Sequence, residues 1–200
     1  MSDHELLRIG LTGGIGSGKT TCAAIFEALG IPVYYSDARA KAIMNTNDQL
    51  RTELKEVFGE ESYLSDGSLN RSYLSRLIFK DNSNIAKINS IVHPAVRNDF
   101  IKWCEENITS QYVLQESALM FETGSYKSFD KNILVDASEE IRIDRVMKRD
   151  GIPAEQVRER MAKQLLSSDK RKLADFIIEN DGNQGLVKQV VAIHLSILEL

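Results

Sequence analysis

Apolar residues fall in short blocks along this chain, and between the blocks the spacing turns helical. Leu7-Arg8-Ile9-Gly10-Leu11 is a short apolar run of the kind that makes a buried strand, and Cys22 to Leu29 is apolar at helical spacing and stopped by Gly30. Further strand candidates stand at Pro32-Val33-Tyr34-Tyr35, Tyr112-Val113-Leu114-Gln115, Asn132-Ile133-Leu134-Val135-Asp136 and Phe176-Ile177-Ile178, each separated from the next by helical patterns. That alternation predicts an α/β fold, a doubly wound parallel five-stranded sheet. In such sheets ligands bind outside the carboxyl ends of the strands, so the residues just after each strand are the ones to weigh.

Two stretches exceed what a simple crossover needs. Residues 38–111 carry helical patterns at Gln49 to Phe58, Arg71 to Phe79 and Ile85 to Asn107, which predicts a helical insertion large enough to hold a second substrate. Within it Asp66-Gly67-Ser68 is a turn signal, and His93-Pro94 is expected to break the helical pattern because proline disfavours a helical residue before it. Residues 139–172 read as two helices joined at Asp150-Gly151, with Arg142, Arg145 and Arg149 around the first and Arg158 and Arg160 on the second. Such spacing ordinarily gives a solvated face paired with glutamates; the alternative is a mobile lid whose arginines meet a migrating phosphate. The expected division is a core of residues 1–37, 111–140 and 173–200, an acceptor-holding insertion of 38–110 and a lid of 141–172.

The chemistry is concentrated after the first strand. Gly13-x-x-x-x-Gly18-Lys19-Thr20 is a phosphate-loop pattern in its proper strand-to-helix context. Glycines let backbone N–H groups approach a polyphosphate, and the helix start adds unpaired N–H groups and a partial positive charge. Gly14, Ile15, Gly16, Ser17, Gly18, Lys19, Thr20 and Thr21 are therefore expected around the phosphates of a nucleoside triphosphate, with Lys19 on the β/γ-phosphates and Thr20 on Mg²⁺.

Other candidates carry two readings each. Asp37, just past the second strand, is either the N-cap of a helix starting near Ala38 or a carboxylate that accepts a proton from an acceptor hydroxyl. Glu116, ending the third strand, is an acidic group for magnesium or its waters, an ordinary surface glutamate, or a partner for an arginine. His93 is a packed residue, a substrate contact or a turn residue. Tyr73, Phe79, Phe100 and Trp103 fall at helical positions and are expected in the core, as is Cys22.

Composition narrows the setting. Of 200 residues 42% are hydrophobic and 27% charged, ordinary for a globular chain. Lys and Arg number 25 against 29 Asp and Glu, a net charge of −4, which argues against a nucleic-acid partner held by phosphate contacts. Cys22 and Cys104 show no metal or redox spacing. A charged amino terminus without a signal pattern and the lack of a long apolar run point to the cytoplasm and no membrane.

Taken in order, these residues resemble the dephospho-coenzyme A kinase family over nearly the full chain. The resemblance rests on IGLTGGIGSGKTT, Ser36-Asp37, Asp66-Gly67-Ser68-Leu69-Asn70-Arg71, Ile91-Val92-His93-Pro94-Ala95-Val96-Arg97 and Ala118-Leu119-Met120-Phe121-Glu122. It continues through Arg145-x-x-x-Arg149-Asp150, Arg160-Met161-Ala162-Lys163-Gln164 and Ala174 to Asn180. One departure is Ala118, where the family usually has proline, preceded here by Glu116-Ser117. The resemblance implies ATP-dependent phosphorylation of the ribose 3′-hydroxyl of dephospho-CoA by a monomer or weak homo-oligomer. It implies Asp37 as catalytic carboxylate, Lys19, Thr20 and Mg²⁺ on the phosphates, and Arg149 with Arg145 as lid cations. Arg71, His93, Arg97 and Phe121 become acceptor contacts, and Asn180 borders adenine. A regulatory GTPase is disfavoured by the lack of an Asn-Lys-x-Asp motif. A kinase of nucleoside monophosphates or shikimate, and an ATP-driven assembly protein, remain the rivals.

Overall fold

A computed structural model describes residues 6–200 of the chain. The charged amino-terminal residues 1–5, read above as free of a targeting signal, lie outside the described residues. The chain divides into two compact units, one made of residues up to Tyr35 together with Asn107–Leu200, the other of Ser36–Glu106.

In the first unit β1 (Leu7–Gly13), β2 (Val33–Tyr35), β3 (Tyr112–Glu116), β4 (Lys131–Asp136) and β5 (Phe176–Glu179) form one parallel sheet in the order β2-β3-β1-β4-β5. The expected five strands are thus present among the described residues. β1, β3 and β4 run almost wholly buried, as strands covered on both faces must. α1 (Lys19–Ala28) and α9 (Leu186–Leu198) supply Cys22, Phe26, Val190, Ile193 and Ile197 to a core with Ile9, Leu11, Leu114, Ile133 and Val135 of the sheet. α6 (Glu139–Asp150), α7 (Ala154–Met161) and α8 (Ser167–Leu173) belong to this unit. Ile143 and Val146 of α6 meet Val157 of α7 in a separate small cluster. Ser138 caps α6, its hydroxyl accepting from the Ile141 N–H, and Gly151 closes the helix at φ 66°, where a side chain would be strained.

The second unit holds α2 (Ser36–Thr46), α3 (Asp48–Phe58), α4 (Arg71–Lys80) and α5 (Ser83–Glu106). Ile43, Leu50, Leu54, Phe58, Tyr63, Leu74 and Val92 form its core. Asn47 and Asn70 start α3 and α4, each side chain accepting an N–H three residues on, and a two-pronged Arg39–Asp99 pair at 2.7 and 2.8 Å joins α2 to α5.

Three expectations are corrected here. α2 starts at Ser36, so Asp37 lies inside its first turn, favoured there by the helix dipole, and is not the N-cap. His93-Pro94 does not break the helix, because α5 runs unbroken with Pro94 inside it. An internal proline costs about 3 kcal/mol. Burying Val92 and Phe100 recovers about 1.5–3 kcal/mol each, and Ser90, whose carbonyl loses its partner, is exposed where water can serve. Phe79 is 96% exposed and takes no part in the core that Phe100 enters. Among the described residues no helix is long and apolar enough to cross a membrane.

Candidate active site

The glycine loop links the end of β1 to the start of α1. Gly16 and Gly18 adopt φ 79° and 92°, left-handed values that a side chain would strain. The Ser17 N–H donates to the Gly14 carbonyl at 3.0 Å, closing the turn. α1 has neither a side-chain cap nor an acidic residue in its first turn, so its positive end is left for an external anion. The buried hydroxyls of Thr12 and Ser17 find no hydrogen-bond partner among the described residues.

Long-range contacts hold this loop in shape. The Asn180 side-chain amide donates to the Ser17 carbonyl at 2.7 Å, and its own N–H donates to the Asp136 carbonyl at 2.7 Å. The Arg145 guanidinium donates to the Asn180 carbonyl at 2.9 Å and lies 3.4 and 3.5 Å from the carbonyls of Gly16 and Ser17. Asn180, expected beside adenine, is thus buried and bonded to the loop backbone, and Arg145 faces the loop, contrary to a solvated-face reading of that arginine. Arg142 approaches so closely that a side chain on Gly14 would collide with its guanidinium. Burial pushes the Cys22 thiol up to about 12, against the opposing pull of Arg145, so this core cysteine is an inert thiol.

Lys19 Nζ lies 4.0 Å from Oε1 of Glu116, both side chains close to nine-tenths covered. Glu116 is in register with Tyr35 of β2 and Leu11 of β1, so it stands at the carboxyl edge of the sheet beside the strand that leads into Asp37. Thr20 is exposed at the head of α1. No group of three or more His, Cys, Asp or Glu among the described residues is arranged to hold a metal ion by itself. A cation at this point would therefore need nucleotide oxygens to complete its shell.

Arg149, expected as a lid cation, is exposed and clasped by the neighbouring Asp150, with bonds of 2.7 and 3.1 Å, while Arg160 reaches the same carboxylate at 3.1 Å. The hydrogen bond from Arg149 holds the Asp150 carboxyl below the usual carboxylate range, and the same bond raises Arg149. At the root of α8, Asp136 accepts from the Ser167 hydroxyl at 2.6 Å and from Arg171 at 2.9 Å, and Arg171 also binds Glu179 at 2.6 Å. Lys170, 2% exposed, lies 2.8 Å from Glu122 Oε1, an ion pair outside hydrogen-bond geometry. Asp136 and Lys170 had no role in the sequence reading, and Arg142, weighed there only as a solvated-face or lid arginine, stands against Gly14 of the loop. Their partners are far away along the chain, and only Glu122, within a quoted motif, gave a signal.

In the helical unit Asp37, Arg71, His93 and Arg97 are all exposed. Beside the His93–Arg97 turn of α5 lies a hollow of about 220 Å³ lined in part by Asn47, Glu53, Ile91, Pro94, Asn98 and Lys102. Phe121, expected at the acceptor, belongs to the sheet unit and is buried there, edge-on to Tyr126 at 5.4 Å.

Comparison with known proteins places this arrangement. The family model described as dephospho-CoA kinase matches residues 7–185. The chain belongs to the dephospho-CoA kinase family. A dephospho-CoA kinase of Bacteroides fragilis (strain YCH46) is 35% identical over 185 residues, covering 92% of this chain and 90% of the relative. Among solved structures, TT1252 from Thermus thermophilus superposes with a TM-score of 0.83 at 33% identity, covering 96% of this chain and 97% of that one. Dephospho-CoA kinase from Campylobacter jejuni superposes at 0.71 with 24% identity over 96% and 97% of the two chains, a likeness of fold. The protein is a kinase of the P-loop type, and the regulatory GTPase and assembly-protein readings fall away.

Proposed function

We propose that this kinase transfers the γ-phosphoryl group of ATP to the ribose 3′-hydroxyl of dephospho-CoA, releasing CoA and ADP as the final step of CoA synthesis. The observation that carries this reading is the pre-formed phosphate loop, with Lys19 4.0 Å from buried Glu116, in a chain whose family match spans residues 7–185.

The N–H groups of the Gly14–Thr21 loop that are not already bonded within the protein, as those of Ile15, Ser17 and Thr21 are, bind the nucleotide phosphates at the head of α1, and Lys19 holds the β/γ oxygens. Asp37 accepts the 3′-hydroxyl proton as the ribose oxygen bonds to the γ-phosphorus. The bond from that phosphorus to the β–γ bridging oxygen breaks, and its electron pair leaves with ADP. Arg149 leaves Asp150 to meet the charge that develops on the moving group. Arg71, His93 and Arg97 bind the acceptor, the arginines suiting its phosphates, and Phe121 backs the acceptor wall. The Thr20 hydroxyl and Glu116, directly or through water, are the groups that would hold Mg²⁺, which would supply charge neutralisation to the nucleotide phosphates.

An acceptor panel tests the proposal. With ATP and Mg²⁺, dephospho-CoA should stimulate ADP release strongly, while adenosine monophosphate or shikimate at the same concentration gives little. Turnover with a nucleoside monophosphate and none with dephospho-CoA would leave only the P-loop kinase.

A further inference from the structure

The Arg160-to-Gln164 motif ends in a glutamine that the phosphoryl-transfer scheme does not use. Its N–H donates to the Met161 carbonyl at 2.9 Å, in the turn that ends α7. Its side chain is half-buried and bridges two parts of the site. Oε1 accepts from the Ile15 N–H of the phosphate loop at 2.9 Å, and Nε2 donates to the Ala118 carbonyl at 3.4 Å. Reversing the amide would oppose donor to donor and acceptor to acceptor, so the contacts fix one orientation and require one acceptor and one donor on the same short arm. Of the ordinary side chains of this length, only glutamine meets both demands.

Both ends of the bridge are themselves fixed. The Ile15 side chain packs on the Ile143, Val146 and Val157 cluster of α6 and α7, and a Cβ on Gly16 would strike the Arg142 carbonyl and Val146, so the loop tip already rests on α6. Next along the chain, the Leu165 N–H donates to Glu122 Oε1 at 3.0 Å, the oxygen paired with buried Lys170. The segment that returns from α7 to α8 is therefore held at the Ala118–Glu122 connection, and Gln164 extends that hold to the Gly14–Ile15 peptide.

We propose that Gln164 is a positioning residue for phosphoryl transfer: it fixes the orientation of the Gly14–Ile15 peptide and thereby the aim of the loop N–H groups that follow. The inference rests on the phosphate-loop kinase reading above. Because it acts on geometry, its loss should appear in kcat more than in the KM for dephospho-CoA.

Steady-state kinetics and amide NMR spectra of the full chain test this with two variants. Gln164→Met, close in shape but without either hydrogen bond, should lower kcat roughly ten- to hundred-fold and leave the KM for dephospho-CoA within about twofold. Its Ile15 amide proton should move upfield as the acceptor is lost. Gln164→Glu keeps an acceptor for Ile15, so its Ile15 resonance should stay near wild type and its kcat should exceed that of Gln164→Met. The proposal is overturned if Gln164→Met keeps kcat within about twofold, if its Ile15 resonance does not move, or if Gln164→Glu retains the resonance yet is no faster than Gln164→Met. Failure of the wild type on dephospho-CoA would sink the functional reading instead, and the Ile15 resonances of the variants would still decide whether the bridge sets the loop.

Discussion

The phosphate loop and the acceptor candidates of the helical unit are built in opposite ways. Ser17, Glu116 and Asn180 are 0%, 8% and 9% exposed, and Asn180 and Arg145 already bond the loop backbone. Asp37, Arg71, His93 and Arg97 stand in solvent on helices whose packing does not depend on them. A pre-bonded loop meets its ligand with little further ordering, whereas exposed cations lose rotamer freedom and water when they capture one. On the proposed assignment of these residues, phosphate recognition is stored in the fold and acceptor recognition is realised on binding.

Substitutions sharpen that contrast. The largest effect is expected at Asp37, where asparagine keeps the size but cannot accept the proton: Asp37→Asn should cut kcat roughly 10²- to 10⁴-fold with at most a small drop in Tm from the lost helix-dipole interaction. A near-normal rate would reduce Asp37 to a first-turn residue of α2. Lys19→Ala comes next, with roughly 10²- to 10³-fold lost in turnover while circular dichroism and melting stay close to wild type.

A paired measurement then separates stored from realised recognition. Asn180→Ala removes the buried amide that donates to the Ser17 carbonyl and the side-chain oxygen 3.3 Å from Arg145, and should cost about 1–3 kcal/mol, a drop of several degrees in Tm. Arg97→Ala should change stability by less than about 0.5 kcal/mol yet raise the KM for dephospho-CoA more than that for ATP. Equal melting temperatures for the two variants would erase the distinction.

The smallest effect is a pH dependence at the end of α6. Arg149 holds the folded Asp150 carboxyl below its ordinary value, so its stabilisation is present above the ordinary carboxylate range and lost as pH falls through the depressed value. Asp150→Asn should therefore melt slightly below wild type at neutral pH, and the two curves should converge in acid. A gap that widens in acid would contradict the assignment.

How much of this was legible in the sequence depends on how far each determinant reaches. The loop is local: glycines, lysine and threonine stand together between a strand and a helix, so their spacing alone predicts its form. The same holds for Asp150-Gly151, read as the joint between two helices and found closing α6. Pro94 misleads because its cost is local, whereas the burial of Val92 and Phe100 that keeps α5 whole depends on residues elsewhere in the unit. Phe79 has helical spacing with its neighbours, yet the face it occupies is uncovered. Asn180 and Gln164 bond loop residues 163 and 149 positions away, a separation that no window of sequence contains. Arg145 looks like any arginine of a charged helix until β1 and α6 are brought together.

The account's central claim is best tested on the product itself. Wild-type protein incubated with ATP, Mg²⁺ and dephospho-CoA should yield ADP and a compound whose phosphorus spectrum contains one new phosphomonoester, coupled to the ribose 3′ proton. A new phosphate at any other position, or ADP formed with dephospho-CoA unchanged, would contradict it.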